Sequence, residues 1–278
     1  MLTVFPDDTF IVSYQKSGNT WLRFLVANLM SSGSPVTFLE MEDRVPMIYD
    51  CSNWALRQKR RPRVIASHEC FDPRYSRVVY IVRDPRDVAV SSYYHHLKLR
   101  DIPDGYPMES FVPRWLLETQ YDSPRFGSWR EHVLSWTETR GNNPGFLLVR
   151  YEDMKQNPQR ELGRVGSFLG MDASTERLAQ AIESSGPERM RELEKQQHEL
   201  WLRTKGLRSD VPFVRKAEAG AWKSALSETS EQAIEADCGA VMQSFGYELT
   251  STSGQIPKVK AAVKSAAAGL KTTAGALV

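Results

Sequence analysis

Only three residues of this sequence are cysteines, Cys51, Cys70 and Cys238, widely spaced and forming no Cys-x-x-Cys pair. That argues against a disulfide framework and supplies no zinc ligand set, so free thiols in a reducing compartment and no metal are expected. No apolar run approaches the roughly 18 residues that a membrane span needs. The opening segment MLTVFPDDTF carries acids and no long apolar core, so neither a signal peptide nor a membrane span is expected, and a cytoplasmic setting is. Charge of one sign is not in excess either, with 36 Lys and Arg against 34 Asp and Glu and a net of +2. Residues 251–278 hold four lysines and no acid, so the remainder sums to +2 − 4 = −2. Such a balance speaks against a nucleic-acid partner, and any anion must be caught locally. Internal repeats are absent, and so is the Walker A pattern G-x-x-x-x-G-K-[ST].

What is present fits an ordinary globular protein. Of 278 residues, 41% are hydrophobic and 25% charged, and the length suits one large α/β domain or two small ones. Four short apolar runs lie at residues 9–14, 63–67, 78–82 and 146–149. Continuous runs of this kind suit strands buried on both faces. Segments of helical periodicity lie between them, as at 21–30 and 88–98, and the alternation predicts a parallel sheet with helices on both sides. Right-handed crossovers then put all strand C-termini on one edge. Beyond residue 150 the reading is helical, at 157–169, 175–184, 187–203 and 227–245, with a loop at 206–214. The 187–203 helix should turn Met190, Leu193 and Trp201 inward. No linker divides the chain, so a single domain over 1–250 is expected. A Lys- and Ala-rich mobile tail follows at 251–278, whose helical spacing of Val259, Val263, Ala266 and Leu270 also allows a weak surface helix.

In open parallel sheets ligands bind beyond the carboxyl ends of the strands. The first strand runs into Tyr14-Gln15-Lys16-Ser17-Gly18-Asn19-Thr20-Trp21, the second into His68, the third into Arg83 and the fourth into Arg150-Tyr151. Three cations and a histidine on one edge make an anion site. At 14–21 a strand, a turn and a helix start offer inward N–H groups, two hydroxyls, a full charge from Lys16 and a helix N-terminus. The same residues also serve an ordinary capped helix. After Arg83, Asp84 reads as an N-cap and Pro85 as the first helical residue. Ser91 lies two turns on, so Arg83 and Ser91 need a bound group between them to cooperate. The plainer role for Arg83 is an ion pair with Asp84 or Asp87.

Four segments in order then carry a family resemblance. YQKSGNTW resembles the 5′-phosphosulfate loop of the sulfotransferases, and RDPRDVAVSSYYH their 3′-phosphate segment. VRYEDMKQNPQREL with FLG at 168–170 resembles the stretch that follows, and RKAEAGAWK at 215–223 the late R-K-G-x-x-G-x-W-K motif. The resemblance, from about residue 9 to 247, implies an α/β fold with a single P-loop-like domain and a central parallel sheet flanked by helices. It implies transfer of a sulfuryl group from 3′-phosphoadenosine-5′-phosphosulfate (PAPS) to a small acceptor, an alcohol or phenol or an amine, releasing PAP. Lys16, Ser17, Gly18, Asn19 and Thr20 would hold the 5′-phosphosulfate, and Trp21, with Tyr151 nearby, would lie against the adenine. Arg83, Ser91, Arg215, Lys216 and Ala217 would meet the 3′-phosphate. His68 resembles the catalytic base, its pKa near neutrality suiting proton transfer, and Lys16 would stabilise the leaving oxygen.

The sequence also departs from the family pattern. Gln15 replaces a proline, Asn19 a threonine, Ala217 a glycine and Ala221 an aspartate, and Ala66 stands where many animal members have a lysine. Nothing after Lys223 matches the dimerisation motif of the animal enzymes, which leaves the oligomeric state open. Acceptor loops are expected at 36–60, 99–124 and 187–211, where Phe38, Met41, Met47, Tyr49, Trp54, Tyr106, Phe111 and Trp115 suit an apolar or aromatic acceptor or cover the core. The basic run at 57–61 reads as solvated surface, or as a contact for an anionic glycan. A P-loop kinase or hydrolase lacks its GK[ST] and an acid for Mg²⁺ here, and a non-catalytic nucleotide-binding protein is the remaining alternative.

Overall fold

A computed structural model describes residues 2–31, 34–117 and 126–250. The tail at 251–278 lies outside them. Four strands, β1 (Thr9–Ser13), β2 (Val64–Ser67), β3 (Arg77–Val82) and β4 (Phe146–Arg150), form one sheet in the order β2-β1-β3-β4. All three pairings are parallel, with Val12 opposite Ser67, Ser13 opposite Ile81 and Val82 opposite Arg150. A further parallel bridge joins Met47 to Ala66 on the outer side of β2, which brings the 46–49 segment to the sheet edge.

Successive residues of each strand serve opposite cores. Ile11, Val79, Ile81 and Val149 face one side, against α1 (Asn19–Met30), α8 (Pro158–Leu169) and α9 (Thr175–Ser184). Phe10, Val12, Val78, Tyr80 and Val82 face the other, against α4 (Pro85–Leu99), α5 (Met108–Leu117), α6 (Trp129–Arg140) and α11 (Glu228–Ser244). The strands lie where the apolar runs predict them because a strand covered on both faces is built mainly of apolar residues.

Two helices, α2 (Phe38–Arg44) and α3 (Asn53–Arg57), occupy the first expected acceptor loop. Phe38 and Met41 are buried there, as are Phe111 and Trp115 of α5, so these four cover the core. Trp54 is instead 71% exposed. In the basic run, Arg61 pairs with Asp7 and Lys59 with Asp43 at the surface.

A short helix α7 (Tyr151–Gln156) follows β4 directly. The helix expected over 187–203 stops earlier, as α10 (Pro187–Gln197). Turns replace its last stretch because Trp201 stacks on Phe38 at 4.0 Å and donates to Glu42 Oε1 at 3.1 Å. Met190, Leu193 and Trp201 are buried as expected. Among the described residues no helix is long and apolar enough to cross a membrane.

Candidate active site

A cavity of about 420 Å³ opens at the C-terminal edge of the sheet. The turn after β1 forms its floor. Lys16 at φ 62° and Gly18 at φ 104° are both left-handed, so the chain turns sharply into α1. The first bond of that helix runs from Leu22 N–H to the Gly18 carbonyl at 3.1 Å, which leaves the N–H groups of residues 19–21 without an acceptor one turn back. Gly18 has a second reason to be glycine. A Cβ there would stand 2.5 Å from Cδ2 of the Tyr151 ring. Ser17 Oγ is buried without a hydrogen-bond partner among the described residues, as is Asn19 Oδ1. The Asn19 amide is already used, donating to Ile11 O at 3.3 Å and Ser13 Oγ at 3.4 Å, so its side-chain donor is not free for a phosphate.

Lys16 points along the cavity, its Nζ 4.6 Å from the centre of the Phe213 ring. Burial, then the nearby charges of Arg83 and Arg203, lower its pKa to about 7. Arg83 directly follows β3 and ties three segments together. It donates to the Lys16 carbonyl at 3.2 Å and to the Glu218 carbonyl at 2.9 Å, and it lies 4.2 Å over the Tyr151 ring. Asp87 stands 3.7 Å away, so the expected ion pair exists, yet Nε of Arg83 remains buried and unpartnered among the described residues. Thr20, Trp21 and Ser91 line the same cavity. Trp21 meets Tyr151 edge-on at 5.8 Å and donates to the Ser185 carbonyl at 3.2 Å.

The far wall is the 213–218 segment, which carries Arg215, Lys216 and Ala217 into the cavity. Arg215 lies 4.3 Å over the Tyr94 ring, and burial lowers its pKa. Ala217 adopts φ 54°, a conformation that glycine takes without cost, so the departure from the motif is visible as backbone strain. Side chains outside the motifs, together with Asp87 inside one of them, hold this wall. Glu194 accepts the N–H groups of Phe213 at 2.6 Å and Val214 at 2.9 Å. Buried Lys98 donates to Glu194 at 3.3 Å and to the carbonyls of Arg208 and Val211 at 2.8 and 2.7 Å. Arg191 donates to the Arg215 carbonyl at 2.7 Å, and Asp87 accepts from Gly220 N at 2.7 Å and Trp222 N at 3.0 Å.

His68 follows β2 into the opposite end of the cavity. Its Nδ1 lies 2.9 Å from the Ser13 carbonyl. A carbonyl only accepts, so Nδ1 carries the proton and Nε2 presents a lone pair, with no partner among the described residues. The backbone is fixed as well. His68 N–H donates to Tyr49 Oη at 3.1 Å, and the His68 carbonyl lies 3.0 Å from Nε2 of His132, whose Nδ1 meets Tyr80 Oη at 2.8 Å. Burial lowers the His68 pKa to about 3, well below the near-neutral value expected from the sequence. Of the two neighbouring histidines, His95 lines the cavity, while His96 lies 3.2 Å from Asp101.

Of the expected acceptor residues only Met47 and Tyr49 reach the cavity. From the expected 187–211 loop Pro187, Met190 and Arg203 line it, and Phe126, Phe213, Lys155 and Glu218 do so without having been legible as site residues. The cavity has a cationic end and a mixed end, joined where Lys16 lies.

Known proteins share both the sequence and the fold. The sequence model of the sulfotransferase domain matches residues 6–246. Bovine (Bos taurus) sulfotransferase 1E1 is 32% identical over 235 residues, 78% of this chain and 77% of its own. The crystal structure of mouse sulfotransferase SULT7A1 complexed with PAP superposes with a TM-score of 0.67 at 22% identity, over 96% of this chain and 91% of that one. Retinol dehydratase, in a complex with retinol and PAP, superposes with a TM-score of 0.67 at 21% identity, over 92% and 85%. A match that runs through every segment of the cavity floor and wall is a match of the whole domain, and this chain belongs to the sulfotransferase family.

Proposed function

We propose that the chain transfers a sulfuryl group from PAPS to the hydroxyl of a small acceptor by in-line displacement, with His68 as base and Lys16 on the leaving group. The tautomer of His68 carries this reading. With Nδ1–H engaged by the Ser13 carbonyl, Nε2 is the one acceptor the ring offers to the cavity. As the acceptor oxygen bonds to sulfur its proton passes to Nε2, and the bond from sulfur to the 5′-phosphate oxygen breaks. The charge on that departing oxygen meets the Lys16 ammonium. Nothing in the displacement requires a metal ion, and positioning does most of the work.

The residues present fit such a donor. Buried Ser17 Oγ and Arg83 Nε lack partners among the described residues, as groups awaiting an anion do. The unused N–H groups at the start of α1 suit the 5′-phosphosulfate. Arg83, Ser91, Arg215, Lys216 and the backbone at Ala217 suit the 3′-phosphate, and Trp21 with Tyr151 an adenine ring. Asn19 would contribute through its backbone, since its amide is spent. A pKa of about 3 keeps His68 neutral before the reaction, and the charge of bound PAPS favours the imidazolium that forms.

Transfer from PAPS to phenols of graded acidity tests the assignment. His68→Ala should lose about 10²–10⁴-fold in kcat, least for the most acidic phenols, and should still bind PAP by calorimetry. Near-normal turnover in His68→Ala together with its loss in His95→Ala would move the base to His95. A wild-type protein that neither binds PAP nor turns over PAPS would end the reading.

A further inference from the structure

Two ion pairs stand at the acceptor end of the cavity, and both are turned the same way. Arg23 pairs with Glu42, and Arg203 with Asp50. Both arginines line the cavity, and neither carboxylate does. Each pair thus shows its cation to the acceptor and keeps its anion behind. Glu218, out at the nucleotide wall, is the one acid among the described lining residues.

The two cations differ in what they can still do. Arg23 is only 1% exposed, its Nε and Nη2 donating to the Val45 carbonyl and Nη2 also to Glu42. Glu42 is tied too, by Arg23 and by Trp201 Nε1 at 3.1 Å. Arg203 is 30% exposed and bonds Asp50 through Nη2 alone. Its Nε and Nη1 have no hydrogen-bond partner among the described residues, so one edge of the guanidinium, completed by the second Nη2 hydrogen, remains available as a two-bond fork. The rest of this end is apolar or aromatic, from Met47, Tyr49, Phe126 and Phe213, with His68 beside them.

Given the sulfuryl transfer proposed above, on which this rests, we infer that the acceptor is an aromatic or apolar hydroxy compound bearing an anionic oxyacid group, and that Arg203 binds that group while the hydroxyl meets His68. A guanidinium fork matches a carboxylate in two hydrogen bonds. A neutral acceptor would cover that donor edge and leave it unpaired, which is costly in a closed site. Arg203 is therefore a specificity-determining residue.

The test uses the full chain and two matched acceptors, 3-(4-hydroxyphenyl)propanoate and its uncharged amide. Both kcat/KM with PAPS and binding to the PAP-loaded protein by calorimetry are measured. The wild type should favour the acid on the order of 10- to 100-fold, the scale of one charge-assisted pair. In Arg203→Gln the ratio should fall to within about threefold of one. Asp50→Asn, which removes the counter-charge from behind Arg203, should raise the ratio severalfold. A wild type that prefers the amide, or an acid preference that survives in Arg203→Gln or drops in Asp50→Asn, overturns the inference. If PAPS is not turned over at all, the transfer reading fails by itself, and the acid-to-amide ratio in binding still decides the role of Arg203.

Discussion

Lys16 is a cation held where water is scarce, and its titration is the most direct handle on the site. With a pKa of about 7, lowered by burial and then by Arg83 and Arg203, the ammonium and the amine coexist in the ligand-free cavity near neutrality. In the unfolded chain the group stays protonated to about pH 10.4. Between those values the unfolded state binds more protons than the folded one, so stability contributed at this residue rises with pH. Urea unfolding from pH 7 to 10 checks the sign, with wild type minus Lys16→Met climbing across the window and saturating PAP flattening the climb. A difference that falls with pH would contradict the burial of the charge. Lys16, Arg83 and His68 were readable in the sequence because each lies at or within a few residues of a strand's C-terminal end, and strand ends converge. Phe213 and Lys155 were not, because nothing local marks them and tertiary contacts alone bring them in, and Arg203 was legible only as part of the expected 187–211 loop. Asn19 shows the opposite limit. It lines the cavity, yet the direction of its amide depends on the carbonyl of Ile11 and the hydroxyl of Ser13.

At the scale of elements, α4 does two jobs from its first turn. Asp84 caps it, accepting from Arg86 N at 2.9 Å as the sequence predicts, and Pro85 begins it. Asp87, one turn in, receives the N–H groups of Gly220 and Trp222 and so anchors the chain just after the wall. Asp87→Ala should therefore raise the Kd of PAP by about tenfold without removing any group from the nucleotide. Calorimetry should find a smaller loss for AMP, which lacks the 3′-phosphate, and equal losses would place the effect elsewhere. Strands were legible because burial on both faces writes a continuous apolar run. The helices α2, α3, α5 and α6 were hidden in stretches read as acceptor loops or left unassigned, since their aromatic residues suit a ligand and a core equally well. The last stretch of the expected 187–203 helix yields to Trp201, whose stacking on Phe38 outweighs helical periodicity.

For the molecule as a whole, a net charge of +2 conceals a strongly polarised interior. Among the described residues, Lys16, Arg23, Arg83, Lys155, Arg203, Arg215 and Lys216 line the cavity against the single acid Glu218. Partly buried charges gathered in a cleft act on an anion beyond simple contact. The association rate of PAP should accordingly fall several-fold between 50 and 300 mM salt, followed by stopped-flow fluorescence. A salt-independent rate would mean that the surface charges cancel the cleft. The parallel α/β class was legible from alternation alone. The strand order β2-β1-β3-β4 was not, because neighbour choice depends on which helices cover which face, and no residue pattern records that.

The tie between Lys98 and Glu194 holds the wall beside Lys16 in place. Moving the wall at Phe213 and Val214 away from Lys16 breaks two backbone hydrogen bonds to one carboxylate and disturbs a buried ammonium in the same motion. Motions that must break several buried contacts together are rare events, and in many enzymes such an event paces turnover while the chemistry waits. Glu194→Gln weakens the latch without touching the nucleotide, so PAP should leave it faster in a stopped-flow chase, and slower or unchanged release would show that the exit lies elsewhere.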